Sequence, residues 1–189
     1  MDGMRICAYL WTGFGILWLL WALKTKPVQA RESTGSRISY IIATVAAFYA
    51  LFSGEIPFAW MQWRILPRTP WIEVLGVVLT VAGLAFAIWA RAYLGGNWSS
   101  SVTLKVGHQL VRTGPYRWVR HPIYSGIILA MIGTAIERGK LRGVVAVVLL
   151  WIGFTIKSRI EERLMVATFG PDYQDYSRST GALFPRFPF

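Results

Sequence analysis

Two short polar stretches in a largely apolar chain hold side chains whose types and spacing suit chemistry. The first is Gly107-His108-Gln109-Leu110-Val111-Arg112-Thr113-Gly114-Pro115-Tyr116-Arg117-Trp118-Val119-Arg120-His121-Pro122-Ile123-Tyr124-Ser125-Gly126. Thr113-Gly114-Pro115 is turn chemistry, and Pro122 suits the first turn of a helix, where its missing N–H is not needed. His121 then falls at the helix entrance. Backbone N–H groups at such an entrance attract anions, for example the carboxylate of an amino-acid moiety or a lipid phosphate. Gly126, lacking a side chain, lets another group approach closely. The second stretch is Lys157-Ser158-Arg159-Ile160-Glu161-Glu162-Arg163-Leu164. Lys157 and Glu161 are four apart, as are Ser158 and Glu162, so each pair shares a face if the preceding helix continues. Phe169-Gly170-Pro171 stops that helix, and Asp172–Ser177 reads as a short interfacial helix or turn. A tail this polar, folded back, would form a lid.

Each residue also has a plainer reading. His121 serves equally as a helix cap, and Tyr116 and Tyr124 as headgroup-level aromatics. Glu161 and Glu162 fit a solvated helix end flanked by Arg159 and Arg163. Glu55, inside an apolar run, suggests a site or a buried partner such as Arg64 or Arg91. It is interfacial instead if Pro57 and Trp60 mark an early end of that run. Two histidines without carboxylates or thiolates at ligand spacing make no metal site, and the lone Cys7 allows no intrachain disulfide. Taken singly, none of these residues names a function.

The elements that must position them are membrane helices. The chain has 189 residues, of which 54% are hydrophobic and 15% charged, and its mean hydropathy is +0.44, far more apolar than a soluble domain. A net charge of +11 lies between apolar runs and not on one basic face, which argues for a membrane surface and against nucleic acid. Runs long enough for hydrocarbon are Met4–Leu23, Ile38–Trp60 and Trp71–Ala90. Pro122–Ile136 and Leu141–Ile156, of 15 and 16 residues, read as a short helical hairpin turned at Glu137–Lys140. The first run is longer than a secretory h-region and reads as an uncleaved anchor, although Val28-Gln29-Ala30 resembles a cleavage site. With five crossings, 14 of the 20 Lys and Arg residues fall on the C-terminal side. The positive-inside rule then puts the N-terminus outside and both polar stretches on the cytoplasmic face. The expectation is one all-α integral membrane domain spanning 1–189, with residues 1–90 as scaffold.

Together the motifs carry a resemblance. Gly107, His108, Leu110, Val111, Gly114, Tyr116, Arg120, His121, Pro122, Tyr124 and Gly126, then Glu161, Glu162, Phe169, Gly170, Tyr173 and Tyr176, are spaced as in the isoprenylcysteine carboxyl methyltransferase family, which this chain resembles. Asn97-Trp98 and Leu183-Phe184-Pro185 also fit. The resemblance implies that residues 91–189 enclose S-adenosylmethionine on the cytoplasmic side under a C-terminal covering segment, while a lipid or prenylated acceptor enters from the bilayer. It implies cofactor contacts at Ser101, His108, Gln109, Leu110, Val111, Tyr116, His121, Pro122, Ile123, Tyr124 and Glu161. Substrate contacts fall at Lys157, Arg120 and Glu162. Where relatives place an arginine near the substrate carboxylate, Lys157 keeps the charge but loses the bidentate fork. The expected reaction is O-methylation of a lipid-like carboxylate. Its rivals are phospholipid N-methylation, for which Glu162 is the candidate base, and an NADPH-dependent sterol-type reductase, whose Pro-Asn-Tyr-like signature is absent. A non-catalytic membrane scaffold is a third.

Overall fold

The computed structural model describes residues 2–22, 28–31, 34–95, 103–105 and 110–186. Among the described residues six α-helices follow in order: α1 Gly3–Ala22, α2 Thr34–Phe52, α3 Pro70–Leu94, α4 Pro122–Arg138, α5 Leu141–Phe169 and α6 Pro171–Ser179. One element departs from the all-α expectation. Strands β1 (Val28–Arg31) and β2 (Thr103–Lys105) pair antiparallel, so the Val28-Gln29-Ala30 segment lies in a ribbon. α3, α4 and α6 each open with proline at the first turn, where it costs no hydrogen bond.

Two expected spans end far from where they were placed. The run Ile38–Trp60 stops as a helix at Phe52, and Glu55 lies beyond it in exposed, non-helical chain. Its carbonyl accepts from Ser53 Oγ at 2.6 Å, and among the described residues its carboxylate pairs with neither Arg64 nor Arg91. Arg91 is buried instead against α1, its guanidinium donating to Trp21 O at 3.3 Å. In the other direction α5 does not end at Ile156 but runs 29 residues to Phe169. In its last third Lys157, Glu161 and Glu162 turn inward while Arg159 and Arg163 stay exposed, so no break is required there.

α1, α3 and α5 are long and apolar enough to cross a membrane. Their outward faces are those of a protein whose solvent is lipid: Leu19 is 70% exposed and Trp71 83%. The chain is an integral membrane protein. Its interior is held by a seam of small residues between α3 and α4 and by a buried hydroxyl cluster. A Cβ on Gly126 would lie 2.6 Å from Gly83 O, and one on Gly133 2.6 Å from Gly76 O. The close approach expected at Gly126 is therefore that of α3. Beside this seam Thr80 and Thr134 share a hydrogen bond of 3.1 Å. Trp11 Nε1 donates to Thr134 Oγ1 at 3.0 Å, which docks α1 onto the pair.

Candidate active site

His121 occupies the N-cap of α4 without capping it through its side chain. Its ring is buried and turned toward α5. Nδ1 lies 3.2 Å from Glu161 Oε2, and Nε2 lies 3.2 Å from Glu162 Oε1. Consecutive residues of one helix thus grip the two nitrogens of one imidazole. A neutral imidazole offers a single N–H, whereas the cation offers two, so this geometry selects the charged form. Burial alone would lower the His121 pKa. The hydrogen bonds and charges of Glu161 and Glu162 outweigh it, and the net shift is upward from 6.5.

That shift carries a stability consequence. Folding favours the protonated ring, so the contribution is complete below the ordinary value of 6.5 and is lost as pH rises through the higher folded value. The melting temperature in detergent is expected to fall as pH climbs above 6.5. Glu162→Gln, which removes one of the two carboxylates, should flatten that slope. An equally steep slope in the variant would exclude His121 as its source.

Glu161 Oε1 also accepts from Tyr124 Oη at 2.6 Å. Tyr124 is sandwiched, stacked on His121 at 5.4 Å and on Phe154 at 4.7 Å between centroids. Lys157, one turn before Glu161, places Nζ 5.1 Å from the Tyr40 ring centroid and 5.3 Å from that of Tyr124. Tyr40 comes from α2, so the N-terminal scaffold half contributes to this cluster. Nothing in its local sequence announces that.

The C-terminal segment straps the cluster. Arg120 donates through Nε to Glu162 Oε1 at 2.8 Å and through Nη1 to the carbonyls of Ser177, at 2.9 Å, and Thr180. Backbone N–H groups of Arg120 and His121 donate to Gly181 O and Ala182 O, and Ser125 Oγ donates to Leu183 O at 2.6 Å. Tyr176 Oη donates to Tyr116 O at 2.6 Å. Burial pushes the Tyr176 hydroxyl up to about 12, so it stays protonated as a donor. Arg112 reaches Asp172 O at 2.7 Å. These contacts draw α6 over the entrance of α4.

Arg120→Ala is expected to free this strap. Hydrogen bonds to a charged group contribute about 1.5–3 kcal/mol each, so proteolysis between α6 and the C-terminus should accelerate by at least ~10-fold. Arg120→Lys should recover little, because an ammonium lacks the fork that spans Glu162 and two carbonyls. Unchanged cleavage in Arg120→Ala would show that the strap is held elsewhere.

Several expected contacts come together here and others do not. His121, Tyr124, Lys157, Glu161, Glu162 and Arg120 form one cluster. Leu110 and Val111 are half-buried just ahead of the 3-10 turn at Gly114–Arg117. Tyr116 is buried, with its hydroxyl donating to Ala90 O at 3.3 Å. Pro122 and Ile123 are buried, and Ile123 packs on Ala90. Ser101, His108 and Gln109 lie outside the described residues. Tyr40 and Phe154 were not anticipated, and Ser125 and Tyr176, though within the motifs, were given no contact.

A helical membrane bundle with one imidazole held between two carboxylates under a C-terminal strap has relatives. The model of the phospholipid methyltransferase family matches residues 71–172, and the chain belongs to that family. Within it the similarity is to isoprenylcysteine carboxyl methyltransferases. The Saccharomyces cerevisiae protein-S-isoprenylcysteine O-methyltransferase is 33% identical over 115 residues, covering 59% of this chain and 48% of that protein. The Bacillus subtilis protein YpbQ is 30% identical over 109 residues, covering 58% and 61%. A solved structure of a eukaryotic intramembrane Ras methyltransferase, an isoprenylcysteine carboxyl methyltransferase, superimposes with a TM-score of 0.58 at 27% identity, covering 80% of this chain and 50% of that one. The chain thus spans about half the length of these relatives.

Proposed function

We propose that this chain is an S-adenosylmethionine-dependent membrane methyltransferase that O-methylates the carboxylate of an isoprenylcysteine-like or other lipid-like acceptor. The donor set suits the cofactor. Each Glu161 oxygen has one close partner among the described residues, Tyr124 or His121, and so retains a lone pair for a hydroxyl or ammonium. Ser125 N–H is the first in α4 with a carbonyl acceptor, at His121 O. The Ile123 and Tyr124 amides ahead of it remain available to an amino-acid carboxylate. S-adenosylmethionine would supply an electrophilic methyl group on a sulfonium cation. Leu110, Val111, Tyr116 and Pro122 would complete its surroundings with Ser101, His108 and Gln109.

The observation that carries O-methylation is the engagement of Glu162. An ammonium acceptor must lose a proton before attack, and Glu162 is the candidate base. Yet its Oε1 already meets two Arg120 nitrogens at 2.8 Å and His121 Nε2 at 3.2 Å, which makes it a poor proton acceptor. A carboxylate acceptor is deprotonated at neutral pH and needs no base. Lys157 then supplies a cation for it, while the strap excludes water and the pocket aligns donor and acceptor, the main sources of rate in an in-line displacement. The family description favours phospholipid N-methylation as the second reading.

In the bilayer this reading has five crossings, the last two a helical hairpin whose second arm runs on past the first, with the N-terminus outside and the site cytoplasmic. Setting aside the buried Arg91 and Arg142 leaves 13 basic residues against 5, the same asymmetry. The acceptor reaches the site laterally from lipid. Membranes containing the protein, given methyl-labelled S-adenosylmethionine and a prenylcysteine acceptor, should yield lipid-soluble label that base releases as methanol. Base-stable label would refute the ester and support the amine.

A further inference from the structure

We propose that the end of the bundle around Lys140, opposite the His121 cluster, binds the phosphate of an anionic phospholipid headgroup. α4 separates the two ends with 17 residues, about 26 Å of helix. At the far end the segment after α2 wraps the α4–α5 turn. Ile65 N–H donates to Gly139 O at 2.9 Å, Leu141 N–H donates to Trp63 O at 2.9 Å, and Lys140 Nζ donates to Gln62 Oε1 at 2.8 Å. The wrap gathers cations. Arg64 lies over Gly139, where a Cβ would come within 2.7 Å of its Nη1. Arg68, Arg138 and Arg142 surround the same turn.

None of these five side chains forms an ion pair among the described residues. Arg142 is fully buried and donates to Ala50 O at 2.5 Å and Ser53 O at 2.8 Å. Its Nη1 and Arg138 Nε find no partner among the described residues. The Lys140 ammonium is pushed down by burial and then by Arg138, Arg142, Arg64 and Arg68 in turn, so the field at Lys140 is cationic, although Glu137 and Asp2 oppose it at Arg138. α5 begins at this point with Lys140 as N-cap, no side-chain cap and no acid in its first turn. The positive pole of a 29-residue helix therefore adds to the same field. An anion here offsets both.

The surroundings choose a lipid as its source. Trp63 is 66% exposed and Trp71 83%, amphipathic rings of the kind that sit at headgroup level. Arg68 is exposed and has no hydrogen bond among the described residues, so it can turn to a headgroup without breaking a contact.

Native mass spectrometry of the detergent-solubilised protein, titrated with phosphatidylglycerol, phosphatidylcholine or inorganic phosphate, tests this. Phosphatidylglycerol should bind more tightly than phosphatidylcholine. Arg64→Gln with Arg68→Gln should weaken it roughly 25-fold, a factor of about five per charge, whereas Arg159→Gln with Arg163→Gln on exposed α5 should not. Arg68→Gln alone, which removes no internal contact, should show about a fivefold loss. Equal binding of the two lipids, or an unchanged preference in the Arg64 and Arg68 variants, would overturn the site. Displacement of phosphatidylglycerol by equimolar inorganic phosphate would overturn the lipid as its source.

Discussion

Glu161→Gln is expected to weaken S-adenosylmethionine binding by about 10- to 100-fold while leaving the helical bundle folded. The carboxylate faces His121 Nδ1 at 3.2 Å and accepts Tyr124 Oη at 2.6 Å, and in the proposed complex it also holds a cofactor hydroxyl or ammonium. A hydrogen bond to a charged group contributes about 1.5–3 kcal/mol, which sets that range. The amide is tolerated in the empty protein because His121 can become neutral. Its Nδ1 then accepts from the glutamine NH2 while Nε2–H still donates to Glu162. Glu161→Ala is a harsher change, since it strands both Tyr124 and His121. Calorimetry in detergent reads the affinity, and circular dichroism the fold. Wild-type affinity in a folded Glu161→Gln protein would refute the assignment of Glu161 to the cofactor.

How far this cluster was legible follows from what fixes each part. The helix start at Pro122 could be read because proline at the first turn is a local signal, and the entrance position of His121 came with it. Pro171, read as stopping one helix, also opens the next. The resemblance put His121 in one pocket with Glu161, but the grip of Glu161 and Glu162 on the two ring nitrogens could not be read, because it joins residues 40 and 41 positions apart that no periodicity links. The ends of apolar runs misled in both directions. α2 stops early because Ser53, Gly54 and Pro57 interrupt it, whereas α5 continues because Glu161 and Glu162 find His121, Tyr124 and Arg120 and need no water. Gly126 signalled a close approach but not its partner, since only the packing shows that Gly83 of α3 fills the space. Tyr40 was invisible for the same reason, being an ordinary aromatic in a helix that gives no local sign of facing the site.

The seam that hides Gly126 carries the other large expected effect. Gly76 and Gly83 on α3 face Gly126 and Gly133 on α4, the same interval of seven residues on each helix, so the two seams stay in register over two turns. At Gly126 an added Cβ would sit 2.6 Å from Gly83 O and 2.7 Å from Ala87 N, and at Gly133 2.5 Å from Thr80 N. These obstacles are backbone atoms, which cannot rotate aside as a side-chain tip can. In lipid the helices are held chiefly by such close packing and by hydrogen bonds like Thr80–Thr134, because the acyl chains are as apolar as the side chains. Gly126→Val must therefore separate α3 from α4 and move His121, only five residues earlier on the same element. A loss of about 1–3 kcal/mol or more is expected, read as a lower melting temperature by fluorescence-detected size exclusion, with cofactor binding lost alongside. Gly13→Ala is the matched control: nothing lies within 4 Å of a Cβ there, and alanine in a helix interior should gain about 0.5–1 kcal/mol. If Gly126→Val melts with the wild type, α3 and α4 are not held by this seam. The position of the His121 cluster must then be set by α5 and the strap alone.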